Sequence, residues 1–296
     1  MVLAHCWRVN PGPGNSGNVA IFAGPPVGVL GRSTLTDPFQ QLQSALDLLD
    51  EQFSSPEPFT LRGCTHCYGE KDFEVLSGPV DLVPDDLVVA TLLEVPSHWS
   101  DFAGLFRRMT PRILRAAVME ELHVFPDVLA TRILEAGWQQ WPAPQRDAVT
   151  GLWHAWLRAI LHRYPSSVPA SAALEVIAAV TGTLKPWLDI WSDTLTPAAD
   201  RHLADLVDRW NSEWGMEDLR LGAMDEFHAT PELTAWLQGA VWNRLGRTQQ
   251  DELSRMWRIL AESAANGRGR QALPDHVRVA VPQRSSPPLS SSRLRS

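Results

Sequence analysis

Apolar side chains recur at helical spacing along most of this chain. The clearest stripes, with apolar residues three and four positions apart, fall within residues 42–53, 153–164, 203–214 and 253–260. That spacing places the apolar side chains on one face of an α-helix. No run after residue 37 alternates between apolar and polar residues as a half-buried strand does. The pattern therefore predicts an all-α fold of roughly ten helices of ordinary length.

Helix starts are marked by a capping residue followed by proline. Asp37-Pro38, Thr110-Pro111, Thr196-Pro197 and Thr230-Pro231 each have this form. A side-chain oxygen at the cap satisfies a free backbone N–H, and proline suits the first turn because it has no N–H to satisfy. Pro84-Asp85-Asp86 adds acidic residues where the helix dipole favours them. These signals predict five of the helix starts.

The composition of the chain changes at both ends, which predicts three regions. Residues 1–36 are rich in Gly and Pro and are expected to form a flexible leader. Residues 37–265 carry the helical stripes and are expected to form a single globular array of helices. The lengths of the helix pairs would also suit a solenoid, although no repeat of constant period is found. Residues 266–296 are rich in Ser, Pro and Arg and are expected to be disordered.

Charge and cysteine content exclude several classes of function. The formal net charge is −8, although residues 267–296 hold six Arg and one Asp, so the rest of the chain is near −13. An acidic body repels polyphosphate, so no nucleic-acid partner is expected. No stretch is apolar enough to span a membrane. Three cysteines and the absence of a secretory signal pattern predict a reduced, cytoplasmic protein.

Tryptophan is unusually frequent, with 13 in 296 residues. Pairs such as Trp153/Trp156 and Trp187/Trp191 stand at helical spacing, so most are predicted to fill the core. The alternative is an exposed aromatic groove that binds a ligand or a partner.

The strongest local signal for chemistry is Gly63-Cys64-Thr65-His66-Cys67. Two thiolates three residues apart can hold one tetrahedral zinc ion, and Cys64, Cys67 and His66 are the predicted metal ligands. A structural zinc site needs four donors, and the other candidates are His5, Cys6 and His123. The same spacing also occurs in thiol redox centres, although the βαβ context typical of those is missing. A third interpretation is a pair of thiols that only packs a turn.

Three segments together resemble a family of helix-rich bacterial proteins. The segments are Leu61–Cys67, then Trp99–Phe102 leading into Thr110–Leu114, then Ala136–Pro142. That family carries a G-C-x-H-C turn, a P-R-I-L helix start and a G-W-x-x-W-P helix end. The similarity spans roughly residues 37–165. It implies a helical fold and no particular activity.

The sequence leaves two hypotheses of function. The first is a non-enzymatic helical interaction or scaffold protein, without a cofactor, that binds a protein partner through an acidic or aromatic face. The second is a metal- or thiol-dependent protein centred on Cys64 and Cys67, with zinc as the cofactor. The enzyme motifs sought, such as G-x-S-x-G and H-E-x-x-H, are not found in the sequence.

Overall fold

The computed structural model describes residues 37–54, 58–119, 126–213, 219–221, 225 and 227–265. The predicted leader, residues 1–36, and the predicted tail, residues 266–296, lie outside the described residues.

Helices dominate the described part of the chain, and the predicted all-α fold is confirmed. The eleven α-helices found there are α1 Pro38–Phe53, α2 Glu70–Ser77, α3 Asp85–Leu93, α4 Phe102–Val118, α5 Pro126–Glu135, α6 Ala143–Leu161, α7 Ala170–Thr181, α8 Lys185–Asp193, α9 Pro197–Glu213, α10 Thr230–Gln238 and α11 Arg247–Ala265. Short 3-10 helices are Val80–Leu82, Pro96–His98, Trp138–Gln140 and Trp242–Arg244. Two strands of two residues, β1 Arg220–Leu221 and β2 Phe227–His228, pair antiparallel between α9 and α10.

Most of the predicted helix starts are confirmed. The Asp37 carboxylate accepts a hydrogen bond from the Phe39 N–H at the start of α1. The Thr196 hydroxyl accepts from the Ala199 N–H at the start of α9. α3 begins at Asp85, directly after Pro84. α10 begins at Thr230 itself, whose hydroxyl accepts from Leu219 N instead of capping the helix.

The predicted helix start at Thr110-Pro111 is wrong, because both residues lie inside α4. The helix begins at Phe102, where the Asp101 carboxylate accepts from the Gly104 N–H at 2.8 Å. Proline inside a helix removes one backbone hydrogen bond. Here the apolar face of α4 is buried on both sides of Pro111, so packing holds the helix together through the defect.

Two helix pairs make the most extensive contacts in the core. α1 packs along α6, and α5 packs along α7. Gln145 of α6 is a buried polar side chain that links α6 to α1 and α4. Its amide N–H donates to the Gln52 carbonyl of α1, and its amide oxygen accepts from Arg107 of α4. Eight tryptophans are buried in the part of the chain that the structure describes, which confirms the core interpretation for them: Trp99, Trp138, Trp141, Trp153, Trp156, Trp187, Trp191 and Trp236.

α8 has only nine residues and is capped at both ends by side chains from further along the chain. The Glu232 carboxylate accepts from the N–H groups of Leu184 and Lys185 at 2.9 and 2.7 Å. The Arg244 guanidinium donates to carbonyls at the opposite end, including that of Trp191 at 3.0 Å, and to the carboxylate of Asp200. The signs of both charges complement the helix dipole.

The chain divides into two compact units, which are residues 1–253 and residues 254–296. The boundary between them falls inside α11. The described part of the first unit holds α1 to α10 and the start of α11. The described part of the second unit is the end of that helix, residues 254–265. Among the described residues, no helix combines the length and apolar character that crossing a bilayer requires.

Candidate metal centre

The Cys64–Cys67 segment forms a single tight turn ahead of α2. The carbonyl of Cys64 accepts hydrogen bonds from the N–H groups of Cys67, at 3.2 Å, and Tyr68, at 3.1 Å. Gly69 then leads into α2, where its own N–H donates to the Asp72 carboxylate. The turn brings the two Sγ atoms to 3.7 Å from each other. As the sequence predicts, the pair is close enough to share one ion.

A second segment is joined to this turn by an antiparallel backbone bridge between Gly63 and Trp99. The Cys64 N–H donates to the His98 carbonyl at 2.9 Å, and the Ser100 N–H donates to the Arg62 carbonyl at 2.8 Å. These hydrogen bonds join the residues on either side of Gly63 and Trp99 and not the two residues themselves. Gly63 and Trp99 are therefore a non-hydrogen-bonded pair, the type in which the two Cα atoms lie closer together. The bridge sets Cys64 directly opposite His98, and side chains on opposed residues project from the same face.

Glycine is required at position 63 because the two backbones approach so closely. A Cβ atom built there would lie 2.2 Å from the His98 carbonyl oxygen, well inside van der Waals contact. It would also come within 3.0 Å of the Phe73 ring. Gly63 therefore allows the segment with Cys64 to meet the segment with His98.

The result is a group of three metal-type donors. Ligand atoms of Cys64, Cys67 and His98 all lie within 4.8 Å of one another. All three residues are partly exposed. Tetrahedral zinc with Zn–S bonds of 2.3 Å would set two sulfurs about 3.8 Å apart. The observed separation of 3.7 Å matches that requirement.

Glu94 lies beside the histidine. Its Oε2 is 2.9 Å from His98 Nδ1, and each side chain is 22% exposed. Nδ1 is buried, and the contact has ion-pair distance without the alignment of a hydrogen bond. Glu94 is the C-cap residue of α3, and its N–H donates to the Ala90 carbonyl, so the helix fixes the position of the Glu94 backbone. A carboxylate on the far nitrogen of a metal-binding imidazole orients the ring and raises its basicity.

The turn also favours the thiolate form of Cys64. Hydrogen bonds from the backbone N–H of Cys67, then from that of His66, and then from the Cys67 thiol lower the pKa of Cys64 below its usual value. Burial and the negative charge of Glu94 act in the opposite direction and are weaker. Since the thiolate is the form that binds metals and reacts with oxidants, the turn prepares Cys64 for either chemistry.

Aromatic side chains anchor the donor segments to the core. The rings of Tyr68 and Trp99 lie 4.6 Å apart between centroids, and Phe73 lies 6.3 Å from Tyr68. Trp99, Phe73 and Leu61 are all buried. The donors therefore stand at the edge of a packed cluster that keeps both segments in place.

The predicted site residues are only partly brought together. Cys64 and Cys67 meet as expected, but His66 is exposed and is not a member of the donor group found among the described residues. His98 occupies the third position instead. His5, Cys6 and His123, the other candidates from the sequence, lie outside the described residues. His98 immediately precedes Trp99-Ser100-Asp101, and only the backbone bridge brings it near the cysteines.

Comparisons of the chain with protein-family models, with curated proteins and with solved structures find no match. The resemblance to helix-rich bacterial proteins therefore stays a prediction.

Proposed function

We propose that this protein binds one zinc ion through Cys64, Cys67 and His98, and that the metal stabilises the junction between the Cys64–Cys67 turn and the start of α4. The observation that carries the proposal is the meeting of three donors, from two separate segments, within 4.8 Å. The metal would add a second link to the backbone bridge at Gly63.

The donor set favours zinc among the common metals. Thiolate and imidazole suit zinc, whereas Mg²⁺ and Ca²⁺ prefer oxygen ligands. The 3.7 Å separation of the sulfurs fits tetrahedral coordination. Because ligands in an unfolded chain are not assembled, metal binding would contribute its free energy to folding.

The role of the metal depends on its fourth ligand. A fourth protein donor would make a closed, structural site, while a water molecule in that position would make an open site of the catalytic type. X-ray absorption of the zinc-loaded chain distinguishes these cases. Three sulfur neighbours would identify Cys6 as the fourth ligand, two sulfurs with two imidazoles would identify a second histidine, and two sulfurs with one imidazole would indicate water.

The test of zinc binding is a comparison of His98 with His66. The full chain, purified under reducing conditions, is analysed for bound metal and titrated against a chromogenic chelator. We expect one zinc per chain. His98→Ala should weaken zinc binding by more than about 100-fold, since losing a ligand exceeds the effect of losing an outer partner. His66→Ala, the matched control on the exposed histidine, should leave affinity unchanged. Protein that takes up no metal, or equal losses in both variants, would contradict the proposal.

Binding of a protein partner stays a second, separate prediction. The eight buried tryptophans do not form a docking face. Among the described residues, the most exposed large apolar side chains are Leu195, 78% exposed, and Leu82, 70% exposed, and they lie in separate connections, between α8 and α9 and between α2 and α3.

A further inference from the structure

We propose that the zinc site is under redox control: a peroxide oxidises Cys64 and Cys67 to a disulfide, and the metal is released. This inference rests on the proposed zinc binding and names its regulation. It unites the two chemistries that the C-x-x-C spacing allows.

The geometry allows the two cysteines to form a disulfide without a change in the backbone of the turn. The sulfurs are already 3.7 Å apart, and a disulfide needs about 2.05 Å. The two backbone hydrogen bonds to the Cys64 carbonyl hold the turn without using either side chain. Rotation of the two side chains can therefore close the remaining distance while the turn keeps its shape.

Both cysteines are also accessible to a small oxidant. Cys64 and Cys67 are each partly exposed and neither is in a disulfide. The aromatic cluster of Tyr68, Trp99 and Phe73 supports the turn, and Trp99 projects from the face of the bridge opposite Cys64 and His98. Hydrogen peroxide, which is little larger than water, can reach either thiolate from solvent.

The oxidation is a balanced two-electron reaction. One thiolate attacks a peroxide oxygen, the O–O bond breaks, and a sulfenic acid and hydroxide form. The second thiolate attacks the sulfenic sulfur, the S–S bond forms, and a second hydroxide leaves. Two protons from solvent convert the hydroxides to water. The two thiolates lose two electrons, the peroxide gains them, and zinc keeps its charge.

Loss of both thiolates removes two of the three described donors. The imidazole of His98 alone cannot hold zinc tightly, so the ion leaves as the disulfide forms. The backbone bridge and the buried Trp99, Phe73 and Leu61 do not depend on the sulfurs. The oxidised protein should therefore keep its helices and lose only the metal link.

The experiment titrates the zinc-loaded full chain with hydrogen peroxide in buffer without reductant. Released zinc is measured with a chromogenic chelator, free thiols by titration, and disulfides by mass spectrometry of peptides. We expect one zinc released for each two thiols lost, a disulfide that joins Cys64 to Cys67, and recovery of binding after dithiothreitol and zinc are added.

A matched variant separates disulfide formation from general damage. Cys67→His keeps a metal donor at this position but cannot form the disulfide, so peroxide should oxidise Cys64 past the sulfenic acid to the sulfinic acid, and zinc binding should not recover after dithiothreitol as it does in the parent. Peptide mapping of the parent chain gives the answer even if this variant folds poorly.

Three results would overturn the redox inference. Zinc that stays bound as peroxide rises, or zinc lost with sulfinic acids and no Cys64–Cys67 disulfide, would overturn it and leave zinc binding intact. A chain that takes up no zinc before oxidation would overturn both proposals.

Discussion

Glu94 would act on the proposed zinc ion without touching it. Its Oε2 lies 2.9 Å from His98 Nδ1, and the end of α3 fixes its backbone. Since Nδ1 faces Glu94, Nε2 would be the nitrogen that binds the proposed zinc ion. Glu94 is then a positioning residue that holds the imidazole at the angle the metal needs.

Replacing this carboxylate should weaken zinc binding while the fold remains. We expect Glu94→Ala to lower zinc affinity about 10–100-fold, and Glu94→Gln to lower it less, because the amide fills the same space beside the imidazole as the carboxylate does. Competition with a chelator measures both. Glu74→Ala, an exposed glutamate on α2, is the control. Equal affinity in the Glu94→Ala variant and the parent would show that the carboxylate does not orient His98.

Gly63 gives a second prediction, set by a single methyl group. Gly63→Ala would place Cβ 2.2 Å from the His98 carbonyl oxygen, so the bridge must open. We expect the free energy of unfolding to fall by about 1–3 kcal/mol, as for other overpacked sites, together with a loss of zinc affinity.

The control for Gly63→Ala is Gly151→Ala in the middle of α6. Apart from its chain neighbours and the nearby backbone of its own helix, no atom lies within 4 Å of a Cβ built there, so alanine should stabilise the helix by about 0.5–1 kcal/mol. Urea unfolding of both variants checks the signs. Two losses of similar size would mean that the close approach at Gly63 is not the cause.

At the scale of single elements, the sequence predicts helices well where capping and burial agree. Asp37 and Thr196 cap the helices that follow them. Thr110-Pro111 has the same form but lies within α4, because the buried face continues past the proline and Asp101 provides the cap. A local motif cannot reveal which of two starts the tertiary packing selects.

α8 provides a prediction for an element whose two ends are stabilised independently. Glu232 caps its first turn and Arg244 its last. We expect Glu232→Ala to lower the free energy of unfolding by about 0.5–2 kcal/mol, as for other lost N-caps. Arg244→Lys should also lower the free energy of unfolding, because the single ammonium group of lysine cannot donate to several carbonyls at once as the planar guanidinium does.

The two losses should add, since the groups share no partner. The double variant should match the sum of the single variants within about 0.5 kcal/mol in denaturant unfolding. A larger interaction would show that the two caps are coupled through α8 or its neighbours.

At the scale of the whole molecule, the metal should support a fold whose core does not depend on it. The helices that bury most apolar side chains, such as α6 and α7, provide none of the described donors. Zinc at 100 times its dissociation constant would add about 2.7 kcal/mol. At about 2–4 °C per kcal/mol for a chain of this size, chelation should lower Tm by roughly 5–10 °C.

Thermal melting with and without chelator, followed by circular dichroism, measures this effect. Helicity at 20 °C should be unchanged by chelation. The double variant Cys64→Ser/Cys67→Ser should melt at the temperature of the chelated parent and should not respond to zinc. A response of the double variant equal to that of the parent would place the stabilising metal elsewhere.

The sequence predicts only the local half of the candidate site. Cys64 and Cys67 are three residues apart, so their meeting follows from the turn between them. His98 joins them through a backbone bridge whose partner strand is a single residue long, and no periodicity marks such a contact. His66 is nearer in sequence but is carried outward by the same turn.

The bridge at Gly63 also determines which insertions and substitutions the candidate metal site can tolerate during evolution. A metal held by Cys67 and His98 closes residues 68–97 into a ring, and the entropy of closing a ring rises only with the logarithm of its length. Doubling that length would cost about 0.6 kcal/mol. Insertions in the links between α2 and α3 should thus disturb the centre less than one added carbon at residue 63. The site requires the close backbone contact at Gly63, whereas the contour length of the chain between Cys67 and His98 can vary.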